Sequence, residues 1–184
     1  MQGIMFVELS RYVDERLGAD GWTRVLDGAG LGGRVYAPDS PAPDDGFMGL
    51  VTTTSTMTDR PVQDVLEDFG RFVAPDLLGG LYGLLLDPAW DLIDFLEHTE
   101  GTIHTVVRAR DRAASPPKLR VERLALDEVL IVYDSPRKLC SLAKGIVRGA
   151  AEHYHEPVEI DELTCMLNGD PRCEILVRRS DPRG

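Results

Sequence analysis

A histidine, a Tyr-x-Ser-x-Arg sequence and three cysteines are the residues of this chain whose types and spacing suit ligand or metal binding. The imidazole of His104 can ligate a metal ion. Tyr133, Ser135 and Arg137 stand at every second position, so an extended strand would place two hydroxyl groups and a guanidinium on one face. Arginine suits carboxylates because its planar fork can bond both oxygens. The pattern therefore predicts a face that binds carboxylates.

The apolar residues around His104 have helical spacing, so the residues three positions away in the sequence are its neighbours on the helix surface. Gly101 and Val107 stand three positions before and after it, so the histidine has a slot without a side chain on one side and an apolar wall on the other. A flat group can approach through that slot. The alternative, for a single histidine beside an apolar stripe, is a hydrogen-bonded residue at the edge of the core.

The Tyr-x-Ser-x-Arg residues also have a purely structural alternative. Ser135 followed by Pro136 has the pattern of a helix N-cap with proline at the first helical position. In that case Tyr133 only ends a strand and Arg137 is only solvated. The residues alone leave anion binding and helix capping both open.

The cysteines form the third set, and a turn brings two of them together. Asn168-Gly169 is a strong hairpin signal, so Cys165 and Cys173 are predicted to lie close on neighbouring strands, with Cys140 elsewhere in the chain. Zinc usually takes four ligands. The candidates for the fourth ligand are Glu162, His153 and His155. Three reduced thiols without a metal are equally compatible with these residues.

The chain shows none of the familiar catalytic signatures. It lacks a Ser-His-Asp set, an HExxH sequence and a P-loop. The glycine-rich segment from Gly28 to Gly33 follows a predicted helix, lacks Lys-Ser/Thr and leads into a loop from Asp39 to Pro43. We therefore predict that the protein is not an enzyme and has no catalytic residues.

The spacing of apolar residues changes along the chain and divides it into two parts. Up to about residue 115 the spacing is helical, whereas after Pro117 it alternates as in strands. Helices are predicted from Met5 to Gly18, around Trp22 to Leu26, from Asp44 to about Tyr82 with a start at Pro61, and from Pro88 to a break at Arg112–Pro117. Strands are predicted at Leu119–Val121 and Val129–Tyr133, and in a hairpin of Val158–Met166 and Arg172–Val177, with a helix from Ser135-Pro136 to Pro157 between them.

These elements predict an α+β fold in a single domain, residues 1–184. Its helical part covers about 1–115, and a part of about 116–180 contains an antiparallel sheet with one inserted helix. A hydrophobic content of 43% is enough for one substantial core.

Charge and composition exclude several partners. The formal net charge of −11 repels both nucleic acid and anionic membranes, so we predict that the protein binds neither. No apolar stretch approaches the about 20 residues that span a bilayer. The run Gly3–Val7 lacks a basic segment and a cleavage site, so it predicts a helix rather than a signal peptide. An odd number of cysteines indicates a reducing compartment, and we expect a cytoplasmic location.

Tyr133-Asp134-Ser135-Pro136-Arg137 together with an upstream histidine resembles the H-NOX family (haem nitric oxide/oxygen binding, also HNOB). His104 precedes the Pro116-Pro117 pair by twelve and thirteen residues, as the haem-ligating histidine of that family does. Further similar segments are Gly3-Ile4-Met5, Asp68–Phe72 and Lys144–Gly149. The resemblance covers about residues 2–178.

The resemblance implies a haem b between the helical part and the sheet, with His104 as the ligand of the haem iron. The residues implied to hold the haem carboxylates are Tyr133, Ser135 and Arg137. Those implied to press on the porphyrin face are Met5 and Pro117.

The resemblance also implies which gas is bound. Leu142 occupies the position where oxygen-binding members carry a tyrosine, and Val73 and Leu9 are apolar residues at two further distal positions. Bound dioxygen gains most from a hydrogen-bond donor, whereas nitric oxide binds ferrous iron without one. We therefore expect the haem to bind nitric oxide and carbon monoxide and to exclude dioxygen.

Many bacterial members of the family carry zinc near the C-terminus, and Cys140, Cys165 and Cys173 match three of its ligands. Glu162 stands where those members have a histidine. The expected partner that reads the signal is a sensor histidine kinase or a cyclic-di-GMP enzyme. The alternative is a haem-free zinc and thiol module that acts as a redox or ligand-binding switch.

Overall fold

Helices make up the first part of the chain, as the spacing of its apolar residues predicts. The computed structural model describes residues 2–38, 44–110 and 114–180. The first helices are α1 (Gly3–Leu17), α2 (Gly21–Gly28), α3 (Asp44–Thr58) and α4 (Val62–Asp76), followed by a π-helical turn (Leu77–Leu81) and a 3₁₀ turn (Gly83–Leu85). Gly18 ends α1 with a φ of 85°, which glycine adopts readily because it has no Cβ. The loop predicted from Asp39 to Pro43 lies outside the described residues.

The helix that carries His104 starts later than predicted and is not uniform. The prediction placed its start at Pro88, but Asp91 is the N-cap. The Asp91 carboxylate accepts a hydrogen bond from Asp94 N at 2.9 Å, and Asp91 N donates to the Asp94 carboxylate at 3.4 Å. This reciprocal capping satisfies backbone donors that a proline start would leave open. The segments are α5 (Leu92–His98), a π-helical turn (Glu100–His104) and α6 (Thr105–Arg110).

The strands form one antiparallel sheet, which confirms the predicted α+β class. They are β1 (Lys118–Ala125), β2 (Glu128–Asp134), β3 (Val158–Thr164) and β4 (Cys173–Arg179), in the order β1-β2-β4-β3. In the middle of the sheet Tyr133 pairs with Leu119 on one side and with Cys173 on the other. Of the break predicted at Arg112–Pro117, Arg112 and Ala113 lie outside the described residues.

The inserted helix α7 (Cys140–His153) also begins later than predicted. Ser135 was expected to cap a helix and Pro136 to start it, but Lys138 N donates to the carbonyl oxygen of Ser135 at 3.0 Å and closes a turn instead. The Ser135 hydroxyl accepts from Arg137 N at 3.3 Å, so it caps this turn. Lys138 has a φ of 51°, which takes the chain out of the turn before α7 starts.

Helices α4 and α7 approach so closely that only glycine fits between them. A Cβ on Gly70 would collide with the carbonyl oxygen of Leu142, and a Cβ on Gly145 would collide with that of Glu67. One apolar cluster fills the helical part of the protein, and a second lies between α5, α7 and the sheet. None of the helices in the described ranges is both long and apolar enough to cross a membrane.

Candidate functional site

A mostly apolar cavity lies where the two apolar clusters meet. Its volume is about 220 Å³, far more than one buried water molecule needs. Its wall comes from α1, α4, α7, the His104 segment, β1, β2 and the turn after β2. Apolar wall residues include Leu78, Phe95, Ile103, Val107, Leu119, Ile131, Leu142 and Ile146. Such a cavity suits a large apolar ligand.

His104 lines this cavity from the end of the π-helical turn. His104 N bonds to the carbonyl oxygen of Thr99, five residues earlier, and π turns of this kind are common at functional sites. The side chain is 14% exposed, and its Nδ1 lies 2.8 Å from a carboxylate oxygen of Glu100. Burial lowers the pKa of His104, although Glu100 opposes the shift. A neutral ring therefore keeps its proton on Nδ1, which leaves the Nε2 lone pair for a metal.

The Glu100 carboxylate accepts hydrogen bonds from three parts of the structure. Besides His104, Leu119 N of β1 donates to Oε2 at 3.2 Å, and Arg108 of α6 donates to Oε1 at 2.6 Å. Burial alone would raise the pKa of Glu100, but the hydrogen bonds from His104, Arg108 and Leu119 outweigh it and lower that pKa. The carboxylate next to His104 is therefore ionised at neutral pH.

Tyr133, Ser135 and Arg137 all line the cavity, although they do not lie on one extended strand. Tyr133 is on β2, whereas the other two belong to the turn that follows it. The Tyr133 hydroxyl oxygen accepts a hydrogen bond from Leu139 N at 3.1 Å, and an Arg137 Nη donates to the carbonyl oxygen of Ser115. The structure thus groups a phenol, a hydroxyl and a guanidinium at one part of the wall.

Most of the remaining predicted cavity residues are also on the wall, but two are not. Met5, Pro117 and Leu142 line the cavity. Val73 and Leu9, predicted at distal positions, are instead 0% exposed inside the apolar cluster of the helical part.

Ala74 replaces Val73 on the cavity wall. Adjacent helical residues point about 100° apart, so Ala74 faces the cavity while Val73 lies in the apolar cluster. Gly101 is exposed and does not line the cavity, so the predicted slot beside it does not open into this cavity.

Tyr82 and Gln2 are among the polar wall residues that were not predicted from the sequence. The Tyr82 hydroxyl donates to Gln2 Oε1 at 3.2 Å, and both residues line the cavity. Tyr82 lies in the leucine-rich run after α4. The sequence of that run predicts only that its apolar residues are buried. A contact between residues 80 positions apart leaves no periodic trace in the sequence.

The predicted metal ligands come together around Cys173, which pairs across the sheet with Tyr133 of the cavity wall. Ligand atoms of Cys140, Glu162, Cys165 and Cys173 all lie within 4.8 Å of one another. The sulfurs of Cys140 and Cys165 are 3.7 Å apart, and Glu162 also lies 3.5 Å from Lys144 Nζ. Burial raises the pKa of the Cys140 and Cys173 thiols. His153 and His155, the other candidates for the fourth ligand, are not members of this group.

The comparison with protein families identifies the family of this chain. The model of the haem-NO-binding family matches residues 2–162. The chain belongs to this family. Members of this H-NOX family are haem-binding gas sensors, so the predicted resemblance is confirmed.

Solved H-NOX structures share the fold over almost the whole chain. An H-NOX protein from S. oneidensis in the Fe(II)NO state is 26% identical, with a TM-score of 0.91 and coverage of 98% of this chain and 100% of that one. The H-NOX domain from Shewanella oneidensis in the Fe(II)CO state has the same identity, a TM-score of 0.88 and coverage of 98% and 99%. An unliganded Fe(II) H-NOX protein from K. algicida, 22% identical, matches in fold with a TM-score of 0.85 over 98% and 97%. No curated protein matches the chain.

The side chains of this H-NOX cavity fit a haem by their chemistry. The walls are apolar, as the porphyrin is, and one neutral imidazole offers a lone pair to iron. Tyr133, Ser135 and Arg137 supply the hydroxyl and guanidinium groups that carboxylates require. Haem iron is commonly held by a single histidine of this kind.

Proposed function

We propose that this H-NOX domain is a nitric oxide sensor that binds haem b, excludes dioxygen and is not an enzyme. The observation that carries the proposal is His104, which reaches an apolar cavity with its Nδ1 already bonded to Glu100 at 2.8 Å. Nε2 is thereby the ring nitrogen that ligates the iron. The role of a core histidine, the alternative considered from the sequence, does not account for the apolar cavity beside the ring.

The haem carboxylates are held by Tyr133, Ser135 and Arg137 in this proposal. The Arg137 guanidinium donates to the Ser115 carbonyl, and its planar fork of N–H donors suits a carboxylate. Met5 and Pro117 contact the porphyrin from the wall. When bound with His104 as its protein ligand, a ferrous haem would supply an iron that can take a diatomic gas.

Selectivity against dioxygen follows from the polarity of the wall. Leu142, Ala74 and Ile146 offer no hydrogen-bond donor. Tyr82 is the phenol outside the carboxylate-binding group, and its proton is engaged by Gln2 at 3.2 Å. These three apolar side chains give a polar ligand such as bound dioxygen no hydrogen bond, whereas nitric oxide does not need a donor. The Fe(II)NO and Fe(II)CO states of the relatives from S. oneidensis support binding of these two gases.

The signal passes to a separate protein, for which we propose a sensor histidine kinase or a cyclic-di-GMP enzyme. A ligand shifts a conformational equilibrium only by its different affinities for the two states. His104 is continuous with α5 and α6, so a change at its ring acts directly on this helical segment. We place the protein in the cytoplasm of a bacterium, where such partners occur.

The test is an absorption titration of the haem-loaded protein. It is reduced anaerobically with dithionite, and spectra are recorded before and after nitric oxide, carbon monoxide and dioxygen are added separately. We expect changes with the first two gases only. His104→Ala should lose the iron–histidine ligation, whereas His98→Ala should keep it, because His98 is exposed and stacks on Trp90. A wild type that takes up no haem, or that binds dioxygen stably, contradicts the proposal.

A second proposed site binds zinc through Cys140, Cys165, Cys173 and Glu162. The grouping of their ligand atoms within 4.8 Å supports it, because three thiolates and one carboxylate form a complete tetrahedral set. The Glu162 carboxylate must then leave its ion pair with Lys144 to bind the metal. If the protein binds zinc but no haem, the alternative of a zinc and thiol switch replaces gas sensing.

A further inference from the structure

The Glu100 carboxylate joins the iron-ligating histidine to two other parts of the protein. Its Oε2 accepts from His104 Nδ1 at 2.8 Å and from Leu119 N at 3.2 Å. Its Oε1 pairs with Arg108 at 2.6 Å. Both oxygens are therefore engaged, and the carboxylate is held from the π-helical turn, from β1 and from α6. A side chain fixed in this way has a defined orientation towards the imidazole.

A carboxylate on the distant nitrogen of a ligating histidine changes the histidine as a ligand. It fixes the tautomer, orients the ring and makes the nitrogen at the metal more basic. Loss of such a partner commonly weakens metal binding or activity about 10- to 100-fold. Many histidines that ligate metals donate instead to a backbone carbonyl, which carries no full charge. The full negative charge of Glu100 exerts the stronger effect.

Arg108 acts on the same carboxylate with the opposite sign. Its guanidinium is 41% exposed and draws the negative charge of Glu100 towards Oε1, away from the oxygen that faces His104. The pair Glu100–Arg108 thus sets an intermediate charge beside the imidazole. We therefore expect removal of the carboxylate charge to make the His104 imidazole less basic and removal of the arginine to make it more basic.

We propose that Glu100 is a positioning residue that strengthens the iron–His104 bond and that Arg108 limits this strengthening. The inference rests on the proposed function, because it requires iron on Nε2 of His104. It deepens that function, since the strength of this bond would decide how readily His104 could be displaced when a gas binds. The ease of displacement then sets the response to nitric oxide.

The experiment measures the iron–histidine stretching frequency of the haem-loaded, ferrous, gas-free protein by resonance Raman spectroscopy. We expect Glu100→Gln to lower the frequency relative to the wild type, because the amide oxygen still accepts from His104 and Leu119 but carries no charge. Arg108→Ala should raise it. Glu97→Gln is the matched control, because Glu97 lies three residues earlier and pairs with Arg123 at 2.5 Å, away from His104. Its frequency should equal that of the wild type.

The outcomes separate this inference from the proposed function. If the wild type has no iron–histidine band, or if His104→Ala retains it, the proposed function fails. A second outcome is a band that depends on His104. If Glu100→Gln and Arg108→Ala then have the same frequency as Glu97→Gln, or if both frequencies shift in the same direction, only the role of Glu100 is refuted. A shift in the same direction would indicate structural loosening, whereas opposite shifts require the electrostatic effect. The Arg108 variant changes a partly exposed side chain, so the test does not depend on the folding of the Glu100 variant alone.

Discussion

Tyr133 accepts a hydrogen bond from the backbone N–H of Leu139, 3.1 Å from its hydroxyl oxygen and one residue before Cys140. The same tyrosine lines the cavity and pairs across the sheet with Cys173. One side chain therefore contacts the wall of the cavity and the backbone that positions two cysteines of the cluster. The two candidate sites share this part of the sheet.

Tyr133→Phe is expected to destabilise the protein and to weaken its hold on haem. It leaves the N–H of buried Leu139 without its acceptor, which costs about 1–3 kcal/mol. Chemical denaturation of the haem-loaded protein measures this loss, and the rate of haem transfer to an apo-globin measures retention. Tyr154→Phe is the control, because the Tyr154 hydroxyl makes no hydrogen bond within the described ranges and its removal should change neither quantity. Equal effects of both variants would contradict the role of the Tyr133 hydroxyl.

Zinc content tests the cysteine cluster. We expect one zinc per chain in the wild type, its loss in Cys140→Ala and weaker binding in Glu162→Ala, all measured by elemental analysis and competition with a chromogenic chelator. Glu159→Ala should bind like the wild type, since Glu159 is an exposed residue of the same strand outside the cluster. Equal affinities of the two glutamate variants would exclude Glu162 as a ligand.

Zinc binding should also depend on pH with a definite sign. Burial raises the pKa of the Cys140 and Cys173 thiols, so both carry protons at neutral pH when no metal is bound. Zinc requires thiolates and must displace these protons. Its affinity is therefore expected to fall as the pH falls, with protons released on binding. Titration calorimetry in buffers of different ionisation enthalpy counts the protons, and a pH-independent affinity would contradict the expectation.

Two glycine substitutions are expected to change stability in opposite directions, because Gly145 lies at the contact between α4 and α7 and Gly49 does not. Gly145→Ala drives a Cβ into the carbonyl oxygen of Glu67, and such overpacking costs about 1–3 kcal/mol or more. Gly49→Ala, in the middle of α3 with open space around its Cα, should instead stabilise the protein by about 0.5–1 kcal/mol. Thermal unfolding of both variants gives the comparison. A Gly145 variant as stable as the wild type would mean that the two helices can separate.

The sequence predicted what depends on local spacing and missed what depends on contacts between distant residues. The period of α1 and of β2 follows from local pattern, and the closeness of Cys165 and Cys173 follows from one turn signal. Cys140 was grouped with these two cysteines only by the family resemblance. The start at Asp91 was missed because Pro88 is the more conspicuous helix signal, although the Asp91–Asp94 pair determines the N-cap.

The candidate site divides in the same way. His104 and the Tyr-x-Ser-x-Arg residues line one cavity, while their contacts with haem stay a prediction. Ala74 lines the cavity where the family resemblance pointed to Val73, because neighbouring helical residues face about 100° apart. The bond between His104 and Glu100 crosses a π turn, which changes the register that an α-helical pattern assumes.

Asp68 gives a prediction for the dependence of stability on pH. Its carboxylate, 23% exposed, accepts hydrogen bonds from Tyr12 at 2.9 Å, Arg60 at 2.7 Å and Arg16 at 3.2 Å, and so ties α1 and the start of α4 together. Burial alone would raise the pKa of Asp68, but these bonds outweigh it and lower that pKa. Asp68→Asn removes the charge and should cost about 1–3 kcal/mol at neutral pH.

The cost of Asp68→Asn should disappear in acid. A carboxylate whose pKa is lower in the folded state stabilises the protein above its unfolded pKa of about 3.9, and this contribution is lost as the pH falls through the folded pKa. The difference in unfolding free energy between wild type and variant is therefore expected to be complete above about pH 5 and to shrink below about pH 4. Urea denaturation of both proteins across this range measures it. A difference that stays constant down to the lowest pH at which both fold would mean that Asp68 contributes through its shape and hydrogen bonds and not through its charge.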